Sequence, residues 1–169
     1  MIQDYLHKSA WFVGLFLLQV LVLNHMHIAG YATPFLYIYM ILKLDSETPR
    51  NGLMLWAFFL GLAIDLFSDT PGMNAASAVL LAFLRPGIMR LFAPRDLTGN
   101  FVPAIQTMGI APFLKYALVG TLLHHAALLV LEYFSTAHIG LLVLRILAST
   151  LLTLALVLAL EGMRKKTTN

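Results

Sequence analysis

The sequence contains no cysteine and few charged residues. The absence of cysteine excludes disulfides, thiolate metal sites and thiol catalysis. Charged residues make up 11% of the chain, against about 25% in soluble domains. Hydrophobic residues make up 60% of it. A soluble domain of 169 residues cannot bury so much apolar surface, and we therefore expect an integral membrane protein.

Patterns typical of catalytic, cofactor and nucleic-acid sites are also missing. No Ser-His-Asp set can be placed, no glycine-rich phosphate loop is present, and no metal-ligand spacing occurs. The basic residues do not cluster with aromatic residues, as a nucleic-acid surface would require. We therefore expect a protein that is not an enzyme and has no cofactor, no metal and no nucleic-acid partner.

Apolar runs predict one all-α membrane domain over residues 1–169, a bundle of six transmembrane helices. About 20 residues are needed to cross the hydrocarbon core. The second span is the weakest, because FLYIYMILKL at 35–44 is barely half a span, and a re-entrant segment is the alternative. The third span is expected to begin at Thr48-Pro49, an N-cap followed by proline. The predicted spans are 10–28, 32–44, 49–67, 73–92, 112–134 and 138–162, with a cytoplasmic loop at 93–111.

The basic residues predict the orientation. With six spans and a cytoplasmic N-terminus, ten of the eleven basic residues face the cytoplasm, and both termini lie there. The eleventh, Arg145, lies inside the sixth span. The ten cytoplasmic residues are Lys8, Lys43, Arg50, Arg85, Arg90, Arg95, Lys115, Arg164, Lys165 and Lys166.

Three charged residues fall inside predicted spans near the outer face: Asp65, Glu132 and Arg145. A charge at the centre of a membrane helix costs roughly 2.5–3.5 kcal/mol on insertion scales, so an unpaired Arg145 facing lipid is not expected. We expect an ion pair, either Asp65–Arg145 or Glu132–Arg145, that fixes the helix packing. The alternative is that these groups line a cavity or partner surface near the outer face.

Two adjacent histidines, His124 and His125, lie in the fifth span. Neighbouring helix positions point about 100° apart, so the pair does not have the i, i+4 spacing of a metal site. Hydrogen bonding between helices, to groups such as Gln19 or Asn74, is the favoured interpretation over metal binding or a proton relay.

A polar turn joins the third and fourth spans, with small residues on both sides. We expect these small residues to permit close approach of the two helices. This region is also the expected packing or partner-binding surface, and its residues are Gly61, Asp65, Ser68, Thr70, Pro71, Gly72, Asn74, Ala75, Ala76 and Ser77.

The residues of this region resemble the motif of the MreD family of rod shape-determining membrane proteins. The matching residues are GLAIDLFS at 61–68 and TPGMNAA at 70–76. Further segments resemble the form of MreD found in Bacteroidetes-type bacteria. They are PFLYIY at 34–39, ETPR at 47–50, AFLRP at 82–86 and FLKYA at 113–117, together with His124-His125.

The resemblance implies a non-enzymatic subunit of the cell-elongation machinery in the bacterial cytoplasmic membrane. Its implied partners are an MreC-like protein, the actin-like MreB, the glycosyltransferase RodA with its penicillin-binding transpeptidase, and the lipid bilayer. Cytoplasmic contacts would come from Arg85, Arg90 and Arg95. The family is also similar in fold to the S components of energy-coupling-factor (ECF) vitamin transporters.

Two functional hypotheses follow. The first is a scaffold that holds the MreC-like protein, with monomer or homodimer left open. The second is a solute-binding membrane component with an outer pocket lined by Asp65, Asn74, Glu132 and Arg145. The first span, WFVGLFLLQVLVL, lacks the paired-alanine spacing with which transporter S components dock on their coupling module, and this disfavours transport.

Overall fold

The computed structural model of the chain describes residues 13–23, 32–97, 99–133 and 139–163. The regular secondary structure of this part is helical, and turns and irregular segments join the helices. The helical residues 13–21 are labelled α1. The other helices are α2 (Ile38–Leu42), α3 (Arg50–Ser68), α4 (Met73–Phe92), α5 (Ile105–Met108), α6 (Ile110–Glu132) and α7 (Ile139–Met163).

Four of the described helices, α3, α4, α6 and α7, are long and apolar enough to cross a membrane. They contain 19, 20, 23 and 25 residues. At 1.5 Å per residue they are about 28–38 Å long, against a hydrocarbon core of about 30 Å. Their bounds lie within two residues of the third to sixth predicted spans. The first predicted span, 10–28, lies only partly within the described residues.

The long helices pack in chain order, α3 on α4, α4 on α6 and α6 on α7. The tightest point is between α3 and α4 at Gly61. A Cβ atom at this glycine would lie 2.5 Å from the Ala75 Cα and 2.7 Å from the Asn74 carbonyl oxygen. Because both neighbours are backbone atoms, they cannot move aside as a flexible side chain would. Only glycine at position 61 permits this approach of the two helices.

The second predicted span is not a continuous helix, and the prediction of a helix over 32–44 is wrong. Only the five residues of α2 are helical, and residues 32–37 before them do not form a helix. The physical reason is that side chains from other helices satisfy the backbone here. The Thr33 amide donates to Ser149 Oγ (3.1 Å) and the Phe35 amide to Thr153 Oγ1 (3.1 Å).

Gln19 of α1 completes the support of this segment. Its Oε1 accepts from the Leu36 amide (2.6 Å) and the Tyr37 amide (3.3 Å), and its Nε2 donates to the Pro34 carbonyl (3.0 Å). Non-helical backbone is tolerated at membrane depth only where protein groups satisfy it. Gln19 is fully buried and supplies three of those bonds.

The segment at 32–44, called the broken segment below, follows α7 in the same direction. Thr33 contacts Ser149 at its start, and Lys43 contacts Glu161 at its end. The 12 residues from Ser149 to Glu161 cover about 18 Å, more than half of a hydrocarbon core of about 30 Å. The side chains of Tyr37, Ile38 and Leu42 are fully buried. The broken segment is therefore part of the core.

The loops before α3 and after α4 meet at one end of the bundle. The Ser46 amide donates to the Phe101 carbonyl (2.8 Å), and the Phe101 amide donates back to Ser46 Oγ (3.0 Å). The Ile105 amide of α5 donates to Glu161 Oε2 near the end of α7 (3.1 Å). These contacts place both loops and the end of α7 together, as expected if α3–α4 and α6–α7 are two transmembrane hairpins.

Candidate functional site

Asp65 binds the beginning of the next helix. Its Oδ2 accepts from the Ala75 amide, and its Oδ1 from the Asn74 amide, Asn74 Nδ2 and Thr70 Oγ1, all at 3.0 Å. The N-cap residue of α4 is Gly72, which has no side chain to offer. The first amides of a helix lack partners within it, and a carboxylate there also interacts favourably with the helix dipole. Asp65 is therefore the cap of α4, supplied by α3.

This role of Asp65 corrects the ion-pair prediction. In the described part of the chain, Asp65 is hydrogen-bonded to α4 and does not pair with Arg145. The Arg145 guanidinium instead lies over the ring of Tyr133, 4.5 Å from its centroid. Tyr133 directly follows Glu132 at the end of α6. The alternative Glu132–Arg145 pair stays a prediction.

The turn between α3 and α4 has a conformation that its residues suit. Asp69 and Gly72 both adopt the left-handed region, with φ of 57° and 82°, which glycine and aspartate tolerate better than most residues. Ser68 Oγ donates to the Ile64 carbonyl (2.8 Å). Pro71 is exposed at the tip. Of the expected partner-binding residues, the turn therefore leaves Pro71 and Gly72 accessible.

A chain of hydrogen bonds continues from Asp65 into the core. Asn74 Nδ2 donates to Asp65, and Asn74 Oδ1 accepts from Tyr37 Oη (3.0 Å). Tyr37 Oη lies 2.7 Å from His124 Nε2. Because the Tyr37 proton points to Asn74, we assign the proton of this second bond to His124 Nε2. The chain joins α3, α4, the broken segment and α6.

The neighbouring histidine faces another helix. His125 Nδ1 lies 2.8 Å from the Thr121 carbonyl, and its Nε2 lies 3.3 Å from Thr153 Oγ1 of α7. Both His124 and His125 are fully buried. No group of three metal-ligand side chains occurs among the described residues. In this arrangement the two histidines connect α6 to different neighbours.

Arg85 does not lie at the cytoplasmic surface, and its prediction as a cytoplasmic contact is wrong. The side chain is fully buried. Its Nε donates to Tyr116 Oη (2.9 Å), and its Nη2 donates to the carbonyls of Leu42 (3.3 Å) and Leu44. A helix end has carbonyls without partners, and Arg85 binds those at the end of α2. Arg90 and Arg95 are exposed.

A second polar cluster, not predicted from the sequence, surrounds Glu161. Lys43 Nζ lies 2.8 Å from Glu161 Oε1, which also accepts from Tyr39 Oη. The Ile105 amide binds the other oxygen (3.1 Å). The cluster ties the broken segment and α5 to α7. In the sequence, Glu161 is recognisable as a single carboxylate within an apolar helix, but nothing there indicates its partners.

The exposed surface of the α3–α4 hairpin carries an apolar groove with a volume of about 540 Å³. Ala76 is exposed in it, unlike Ala75 and Ser77, which are buried. Of the small residues of α4, Ser77 is therefore buried in the core, Ala76 is exposed along the groove, and Ala75 is buried but also borders the groove. The groove is lined by Met54, Phe58, Leu62, Gly72, Ala75, Ala76, Val79, Leu80 and Phe83.

Comparisons of the chain with protein-family models, curated proteins and solved structures give no match.

Proposed function

We propose that the chain is a non-enzymatic membrane scaffold of the MreD type, which binds an MreC-like protein in the bacterial cytoplasmic membrane. MreB, RodA and the transpeptidase of RodA are its proposed further partners. The proposal includes six membrane crossings, with the broken segment as the second, and cytoplasmic termini. It rests on the resemblance of residues 61–76 to the MreD motif.

The observation that supports a scaffold most directly is the arrangement of this motif. Asp65 and Asn74 turn inward and bind one another, Thr70 and the backbone of α4. The accessible side of the same hairpin is an apolar groove. Polar groups in this region therefore stabilise the fold, and the surface left for a partner is apolar. This is the chemistry of helix association in a membrane.

The same arrangement disfavours the solute-binding alternative. Its pocket required Asp65, Asn74, Glu132 and Arg145 to face a common outer cavity. Asp65 and Asn74 are instead buried in contact with each other, and Arg145 stacks on Tyr133. A polar solute binding at Asp65 would have to replace four hydrogen bonds that Asp65 already accepts.

Co-purification tests the proposal. The tagged chain is co-expressed with the MreC-like protein of the same bacterium and purified in mild detergent. We expect a stable complex of the two proteins. In the cell, depletion of the chain should convert rods into round cells.

Two results would count against the scaffold. One is recovery of the chain without its MreC-like partner, together with normal cell shape after depletion. The other is a small molecule that co-purifies with the chain and raises its melting temperature, which would support the solute-binding alternative.

A further inference from the structure

The middle of α6 carries two buried polar atoms that need a partner. They are Thr121 Oγ1 and His124 Nδ1, and neither atom has a hydrogen-bond partner among the described residues. Both side chains are fully buried. Thr121 is the middle residue of α6 (Ile110–Glu132), about 16 Å from either end at 1.5 Å per residue. The two atoms therefore lie deep inside the bundle.

The two atoms have complementary hydrogen-bonding roles. His124 Nε2 carries the proton that binds Tyr37 Oη, and the neutral ring then has an acceptor at Nδ1. The Thr121 hydroxyl is a donor without an acceptor. Residues three apart on a helix are neighbours, with Cβ atoms about 5–6 Å apart. An unsatisfied donor and an unsatisfied acceptor thus lie about one turn apart.

Helices α4 and α6 face each other at this depth and run in opposite directions. Tyr37 Oη lies 3.0 Å from Asn74 Oδ1 of α4 and 2.7 Å from His124 Nε2 of α6, and so bridges the two helices. Further along α4, Arg85 contacts Tyr116, which precedes His124 on α6. Higher numbers on α4 therefore correspond to lower numbers on α6.

Ser77 brings a third polar side chain to the level of Thr121. Ser77 lies three residues after Asn74, and Thr121 lies three residues before His124, so each is about one turn further from the α3–α4 turn than the bridge. Ser77 is buried. Its Oγ donates to the Met73 carbonyl (2.8 Å), which leaves the oxygen able to accept a hydrogen bond.

We infer that one water molecule binds between α4 and α6, held by Thr121, His124 and Ser77. The water accepts a hydrogen bond from the Thr121 hydroxyl and donates to His124 Nδ1 and Ser77 Oγ. Buried waters make about three hydrogen bonds, typically to polar groups that otherwise lack a partner. Left unpaired in a core without water, the threonine and histidine atoms would oppose folding. The site is independent of the proposed scaffold function.

Thr150 of α7 is a natural comparison for Thr121. Its hydroxyl is also buried and has no partner in the described part of the chain. One turn away, however, Thr153 already binds the Phe35 amide, and Ile146 and Leu147 are apolar. Within four residues of Thr150 on α7, no second polar atom lacks a partner. We therefore expect no bound water at Thr150.

Solid-state NMR of the chain in lipid bilayers tests the inference directly. His124-His125 is the only pair of consecutive histidines in the sequence, so isotope-labelled histidine identifies both residues without a variant. We expect polarisation to pass from water protons to the His124 ring, and Nδ1 of this ring to be an unprotonated acceptor. His125 is the internal control, because both of its ring nitrogens have protein partners. Its ring should receive much less polarisation.

Variants of Thr121 provide a second measurement. Thr121→Val preserves the shape of the side chain and removes the donor to the water. It should reduce the polarisation that reaches His124 to the level of His125, and lower the melting temperature in detergent by about 2–4 °C. Thr121→Ser retains the hydroxyl and should retain the transfer. Thr150→Val, the matched control, should not lower the melting temperature.

The unaltered chain alone can overturn the inference, so the test does not depend on the folding of a variant. Absence of transfer from water to the His124 ring would overturn it, as would a proton on Nδ1. Equal transfer to His124 in the Thr121→Val variant and the unaltered chain would contradict the role of Thr121. A Thr121→Val variant that melts no lower than Thr150→Val would contradict it too.

Discussion

The α3–α4 hairpin and the broken segment achieve burial in different ways. The hairpin consists of two regular helices whose backbone bonds are internal, and its packing depends on small residues at the contact and on Asp65 at the start of α4. The broken segment has few internal bonds and depends on Gln19, Ser149 and Thr153 from two other elements. In both regions, buried polar side chains bind backbone groups that have no partner within a helix: Asp65 binds the first amides of α4, and Gln19 binds the irregular backbone of the broken segment.

The largest effect is expected from filling the closest contact of the hairpin. Gly61→Val places side-chain atoms where the Ala75 backbone lies, 2.5 Å from a new Cβ. We expect a loss of about 3 kcal/mol of stability or failure to accumulate in the membrane. Gly87→Ala is the control, because nothing lies within 4 Å of a Cβ at that position of α4. A Gly61→Val variant as stable as the Gly87→Ala variant would contradict the close contact.

A smaller but still large effect is expected from removing the support of the broken segment. Gln19→Leu preserves the size and apolar character of α1 and removes three hydrogen bonds. The backbone groups left buried should cost about 2–3 kcal/mol, measured as a lower melting temperature in detergent. Gln106→Leu is the control, since Gln106 is exposed in α5. If Gln19→Leu melts no lower than this control, Gln19 does not hold the segment.

An intermediate effect is expected at the cap of α4. Asp65→Ala removes the acceptors of four hydrogen bonds and should cost about 2 kcal/mol. Asp65→Asn keeps one acceptor oxygen and should cost less. The melting temperatures of the two variants check this order. Since the cap does not involve Arg145, exchanging the charges of Asp65 and Arg145 should not restore stability, and a rescue would restore the ion-pair hypothesis.

The smallest expected effect is a difference in stability between variants of two threonines on α7. Thr153→Val removes the acceptor of the Phe35 amide together with the longer contact to His125 Nε2 and should cost about 1 kcal/mol. Thr150 is equally buried, but its hydroxyl has no hydrogen-bond partner among the described residues. Thr150→Val should therefore be neutral or slightly stabilising. Equal losses for both variants would indicate that the threonines contribute by packing and not by bonding the segment.

The sequence predicts the regular parts of the fold well. Long apolar runs interrupted by the turn at 69–72 predict α3 and α4 closely, because a membrane helix satisfies its own backbone and needs only length and composition. Small residues around Gly61 likewise predict close packing. Both features are local, so one sequence is enough to recognise them.

The sequence does not predict which polar groups meet. Tyr37 and His124 are 87 positions apart, and Tyr39 and Glu161 are 122 positions apart. Apolar periodicity in lipid does not reveal which helix faces which, because both lipid-facing and buried positions are hydrophobic. The usual position of basic residues on the cytoplasmic side predicts Arg85 at the surface, yet Arg85 binds the backbone at the end of the broken segment.

The most direct test of the account is whether the broken segment crosses the membrane. The absence of cysteine permits single-cysteine labelling with a membrane-impermeant reagent. Cysteines replacing Lys8, before the first span, and Glu47, after the broken segment, should react only from the cytoplasmic side. A cysteine replacing Pro71 should react only from the opposite side. Labelling of positions 8 and 47 from different sides would show that the segment does not cross, and would contradict the six-crossing architecture.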